Sequence, residues 1–141
     1  MMKKIFLLLV ALTILLFGKN ESFELRIYNQ VLHALFPHKE VVKVWSDSFQ
    51  KRKMLARLHN TRLTSDPKNA DFLLVTKSEN LNVNGVLFVT SYHLLKHYKK
   101  SAIGGFYWKK GRPNLLFLRE NLQKRGLHLP KSFQKYIEDR P

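Results

Sequence analysis

An α/β fold with a mixed sheet, parallel at its centre and closed by an antiparallel hairpin with helices on both faces, is what the sequence predicts. Three stretches carry that expectation. Val41-Val42-Lys43-Val44-Trp45 is a β-rich run followed at once by a helix start, the first half of a βαβ unit. Ala70–Thr76 and Val86–Thr90 are near-continuous apolar runs, the pattern of strands covered on both faces as in parallel sheets. Ser101–Leu118 places two apolar runs, Ala102–Trp108 and Leu115–Leu118, around the polar segment Lys109-Lys110-Gly111-Arg112-Pro113-Asn114. Gly111 accepts a positive φ and Pro113 suits the mouth of a strand, so this stretch predicts a hairpin with a three-cation tip.

The chain opens with Met1-Met2-Lys3-Lys4 and the apolar run Ile5–Phe17, the n- and h-regions of a secretory signal. That run is shorter than the ~20 residues of a spanning helix. The expectation is a signal peptide over 1–18 and a single periplasmic α/β domain over 19–141, with an uncleaved membrane anchor as the alternative. Two of the 25 Lys+Arg lie in residues 1–18, so 23 remain against 10 Asp+Glu, a net charge of +13. In an exported chain such a balance points to an anionic membrane surface or an acidic protein face rather than to nucleic acid. The absence of cysteine leaves packing alone to hold the domain in an oxidising compartment.

In chain order, Glu21–Phe36 predicts an amphipathic helix on Phe23, Ile27, Tyr28, Val31 and Leu35, with Ser22 as cap and Pro37 as stop. Asp47 and Gln50 read as a capping box for a helix to about His59. Thr61–Thr64 is a candidate short strand and Ser65–Asn69 a turn. Asp66 and Asp71 are expected to serve that turn and the entrance of the next strand. Lys77–Gly85 is too short for an ordinary crossover helix, so a compact loop or direct pairing must join the strands on either side. Ser91 is expected to cap a helix over Tyr92–Lys99 that buries Leu94, Leu95 and Tyr98. Arg119–Arg125, ended by Gly126, and Lys131–Glu138 complete the helices.

Catalytic machinery is not legible, and no catalytic residue, metal or cofactor is expected. His93 and His97 have the i,i+4 spacing of metal ligands but no third ligand nearby. Gly104-Gly105 lacks the G-K-[ST] of a phosphate loop. The residues with most potential are Tyr107, Lys109, Lys110 and Arg112, aromatic and cationic types enriched in binding hot spots. Alternation places Phe106 and Trp108 on one face, expected to be core, and Tyr107 on the other with Ile103 and Gly105.

Over Val86–Phe133 the order of features resembles the C-terminal half of YfiR-like periplasmic proteins. A strand V-L-F-V-T-S leads to I-G-G-F-Y-W, a K-K-G-R turn, a strand L-L-F-L-R-E-N and L-Q-K-R-G-L-H-L-P-K-S-F. Gly104, Gly105, Phe106, Gly111, Arg112, Asn121, Gly126 and Leu127 fall on the positions that carry the likeness. The resemblance implies a compact periplasmic α/β domain, often a homodimer. It further implies a non-enzymatic regulator that represses an inner-membrane diguanylate cyclase by contacting the ectodomain of that signalling protein. Two departures stand beside it: no cysteine is present, which argues against redox control, and Lys77–Gly85 cannot hold the family's helix. The same C-terminal pattern looks like a reduced lobe of a transporter's substrate-binding protein, the alternative reading.

Overall fold

The computed structural model describes residues 22–141; the predicted signal segment lies outside them. Its centre is one seven-stranded sheet in the order β2-β1-β3-β4-β5-β6-β7. The strands are β1 (Val42–Ser46), β2 (Thr61–Leu63), β3 (Phe72–Val75), β4 (Val86–Val89), β5 (Ala102–Lys109), β6 (Arg112–Leu118) and β7 (Ile137–Glu138). From β2 to β5 all neighbours are parallel. β5 and β6 form the expected antiparallel hairpin, in register from Gly104 against Phe117 to Lys109 against Arg112.

Two apolar layers sandwich the sheet. On one face α1 (22–35) lays Tyr28, Val31, Leu32 and Leu35 onto Val44, Phe72, Phe88, Phe106 and Phe117, joined by Met54 and Leu55 of α2 (Phe49–Ala56) and Leu122 of α4 (Arg119–Lys124). The α1 residues are those the helical spacing selects. The helix is already formed at Ser22, so Ser22 is not its cap; it ends before Pro37. On the other face α3 (Tyr92–His97) covers Leu73, Val75, Leu87 and Val89 with Leu94 and Leu95. Ser91 caps α3 as its position predicts, its hydroxyl accepting from Leu94 N–H at 3.1 Å.

The short connection between β3 and β4 is a helix-free loop, and the two strands pair directly in parallel. Tyr98 anchors the loop: its hydroxyl accepts from Glu79 N–H at 2.8 Å and donates to the Glu79 carbonyl at 2.6 Å. Asp71 guards the entrance of β3. One carboxylate oxygen accepts from Lys43 N–H at 2.9 Å and the other takes Lys39 Nζ at 3.0 Å. Burial by itself would raise this carboxyl, but the Lys43 amide, the Lys39 ammonium bond and the charges of both lysines outweigh it and hold it below the ordinary aspartate value. A carboxyl depressed in the folded state adds stability above its unfolded pKa, and that contribution is lost as pH falls through the folded value. Asp71→Asn is therefore expected to flatten the acid limb of a stability-against-pH curve and leave its alkaline side unchanged, as chemical denaturation at a series of pH values would show.

Four further expectations are corrected. Asp47 does not cap α2: Ser48 does, its hydroxyl accepting from Lys51 N–H at 3.3 Å, because the Asp47 carboxylate finds stronger donors at the end of β3. The polar hairpin tip is tighter than six residues. Lys110 and Gly111, with φ of 51° and 74°, form the whole turn, and Arg112, Pro113 and Asn114 belong to β6. Two consecutive positive φ values match the twist of the flanking strands.

Ile103 does not share a face with Tyr107. The pairing of β4 with β5 skips one residue between Ala102 and Gly104, a bulge that reverses the alternation, so Ile103 joins Phe106 under α1. Lys131–Glu138 is not one helix: a 3-10 segment, Lys131–Tyr136, gives way to β7, which pairs in parallel with the outer side of β6. The unpaired edge of the hairpin offers ladder partners that a short isolated helix cannot match.

Candidate functional site: the hairpin tip

The β5–β6 hairpin projects Lys109, Lys110 and Arg112 into solvent, with Asn114 completing a shallow concavity of about 460 Å³ between them. Ladder register sorts the side chains. Tyr107 lies opposite Asn114 and Lys109 opposite Arg112, all on the α3 face, whereas Trp108 and Pro113 share the α1 face.

On the α3 face the hairpin meets Tyr92, the first residue of α3. The Tyr92 and Tyr107 rings stand 6.2 Å apart at 47°. Lys96, one turn along α3, places its ammonium 4.9 Å from the Tyr92 ring centre, and Lys109 approaches the same ring at 5.9 Å. Two helical neighbours and two hairpin residues thus form an aromatic pair flanked by cations, an arrangement stabilised by the ring quadrupole. Burial first, and then the neighbouring Tyr92 phenol, raise the Tyr107 hydroxyl above its ordinary value, so it remains a neutral donor at physiological pH. Among the described residues no carboxylate pairs with Lys96, Lys109, Lys110 or Arg112.

The structure thus brings Tyr107 and Lys109 together with Tyr92 and Lys96, and sets Lys110 and Arg112 at the adjoining turn. Tyr92 and Lys96 were not legible as site residues. Their i,i+4 spacing hinted at mutual contact, but the approach to Tyr107 spans fifteen positions and depends on how α3 settles on β5. Trp108 has the face that alternation predicts but not the burial: 44% of it is exposed. It stacks near Phe23 at 5.9 Å and Phe106 at 6.0 Å, with the Arg26 guanidinium 5.7 Å over Phe23. The hairpin outruns the sheet at this point, so a side chain pointing toward the α1 layer finds only the rim of that layer. Both faces of the tip consequently present aromatic surface beside cations.

The alternative location for a ligand in an open parallel sheet is the crevice beyond the carboxyl ends of the strands, where the strand order reverses. Here that point lies between β1 and β3, and Asp47 fills it. Its Oδ1 accepts from Thr76 N–H at 2.9 Å and from the Thr76 hydroxyl at 2.8 Å, while Oδ2 accepts from Lys77 N–H at 3.0 Å. The amides that would hold an anionic ligand are taken by the chain's own carboxylate. His93 and His97 are exposed on α3, and the described residues contain no group of three His, Cys, Asp or Glu placed to hold a metal ion. No family model, curated protein or solved structure matches this chain.

Proposed function

We propose that this protein is an exported, non-enzymatic regulator that acts by docking its basic hairpin tip on an acidic face of the ectodomain of an inner-membrane signalling protein. The observation that carries this reading is the Tyr92–Tyr107 pair with Lys96 and Lys109 beside it, continued by Lys110 and Arg112, none of these cations being ion-paired to a carboxylate among the described residues. Exposed aromatics provide area at low entropic cost, and unpaired cations steer an acidic partner into register. The resemblance to YfiR-like regulators names the kind of partner, a diguanylate cyclase of the inner membrane. The transporter-lobe reading draws support from the parallel order of β2, β1, β3, β4 and β5, but its ligand crevice is the one occupied by Asp47.

The test is capture of a cyclase ectodomain by the parent and by a Lys109→Gln, Lys110→Gln, Arg112→Gln variant. The variant is expected to melt with the parent, because exposed turn cations contribute only about a few tenths of a kcal/mol each. It should bind severalfold more weakly, chiefly through slower association. Added salt should weaken the parent in the same way, since exposed charges are screened beyond ~8 Å at physiological ionic strength. Equal binding by the triple variant at low salt would overturn the proposed surface. Binding to anionic vesicles in place of the ectodomain would overturn the proposed partner.

A further inference from the structure

Away from the hairpin tip, on the α1 face, the described residues leave a cleft in the covering of the sheet. The 3-10 segment Lys131–Tyr136 leads into β7 and packs on the sheet through Phe133. Phe133 packs edge-on to Phe117 with ring centres 5.9 Å apart, and Gln134 Nε2 donates to the Leu129 carbonyl at 3.1 Å. Between this segment and α1 lies a cleft of about 610 Å³. Its walls are Ile27 and Ala34 of α1, Leu115 of β6, and Phe133 and Tyr136. Ala34 leaves the space open, for a longer side chain at that position would reach across it.

The polar groups of the cleft are confined to its rim. Gln30 and His33 on α1, and Ser132 and Lys135 opposite, line the cleft and are all exposed. Among the described residues no Asp or Glu lines it, and the Lys135 ammonium lies 5.1 Å from the Tyr136 ring with no ion-pair partner. Ligand pockets are typically about 300–1,000 Å³, apolar within and fixed by a few placed polar groups. We infer that this cleft binds a single-chain amphipathic anion, an acyl chain lying along Ala34, Leu115 and Phe133 with its carboxylate at Lys135 and Ser132. Bare apolar walls favour the chain, and a one-sided cationic rim without carboxylates selects an anionic head over a cationic one. The site is independent of the hairpin tip and does not rest on the regulator reading.

The experiment is titration of the full chain with dodecanoate, decanoate and octanoate below their micelle-forming concentrations, followed by calorimetry, with dodecyltrimethylammonium as the charge-reversed probe. Dodecanoate is expected to bind one to one, and affinity should fall about fourfold per methylene removed, the equivalent of ~0.8 kcal/mol per buried CH₂. Ala34→Met should fill the cleft and weaken dodecanoate about fifteenfold, by displacing about two methylenes of chain. Lys135→Glu, an exposed change that leaves the melting temperature of the ligand-free protein unaltered, should also weaken dodecanoate and improve the ammonium probe. Both variants leave the apolar run Ile5–Phe17 intact, so any binding there persists in them. The inference is overturned if the parent binds carboxylate and ammonium probes alike, or if neither variant changes dodecanoate affinity. It is equally overturned if no probe binds and Ala34→Met instead alters the oligomeric mass, which would make the cleft a face for a second copy of the chain.

Discussion

Phe88→Ala is expected to destabilise the domain by about 3–5 kcal/mol, enough to consume a large share of the stability of a chain this size. Phe88 is fully buried at the centre of the α1-side core. Its ring meets Phe72 at 5.6 Å, Phe117 at 5.9 Å and Tyr28 at 6.1 Å, so it couples β3, β4, β6 and α1. Those partners are held by backbone ladders and a helix, and they cannot collapse into the space the ring leaves. Urea unfolding followed by circular dichroism measures the loss. Phe88→Leu, which keeps most of the volume, should cost less than half as much. A loss below about 1 kcal/mol for Phe88→Ala would mean that the packing around β4 is looser than these contacts imply.

Asn121→Leu is expected to cost roughly 2–4 kcal/mol although it replaces a polar side chain by an apolar one of similar size. Asn121 is buried at the start of α4, and its Nδ2 donates to the Ala102 carbonyl at 2.6 Å and the Lys99 carbonyl at 2.8 Å. These bonds tie the turn after α3, and the first residue of β5, to the helix that follows the hairpin. Leucine offers no donor, so two carbonyls lose a partner, and a carbonyl left unsatisfied away from water costs about 1–3 kcal/mol. Asn121→Asp should be no milder, because an ionised carboxylate would face two carbonyl oxygens. Hydrogen exchange would localise the effect: the amides of β5 near Ala102 and of α4 should lose protection before those of β1 and β3. Unchanged protection there would show that the side chain fills space without holding the turn.

The parts of the fold that were legible in the sequence are those with a local cause. The apolar runs Phe72–Val75 and Val86–Val89 are strands because nothing in them suits a solvated face, and both are buried throughout. Pro37 ends α1, Ser91 caps α3, and Gly111 makes the hairpin turn, each through the backbone chemistry of its own residue. Gly126, at a φ of 64°, closes α4 in the same manner: Leu127 N–H reaches the Leu122 carbonyl at 3.0 Å and Gly126 N–H the Gln123 carbonyl at 3.0 Å. At the candidate site the hairpin and its cations were legible for the same reason.

Choices between partners distant in sequence were settled by tertiary structure. Asp47 and Ser48 are both good capping residues. Which of them caps α2 depends on Thr76 and Lys77, donors some thirty positions away that only the parallel pairing of β1 with β3 brings into reach. Ile103 reads as a neighbour of Tyr107 until the bulge beside Gly104 reverses the alternation. Beside that bulge the β5 backbone also passes tightly against β6: a Cβ on Gly104 would lie 2.3 Å from the Leu116 carbonyl oxygen. Trp108 has core composition at a place where the sheet extends past its helical cover. Tyr92 and Lys96 become surface partners of Tyr107 only when α3 docks. By itself the sequence determined the periodicities, caps and turns, since these follow from each residue's own φ/ψ preference and polarity. Which side chains meet, and which apolar surface stays uncovered, was decided by packing, because that depends on distances between elements that no local pattern encodes.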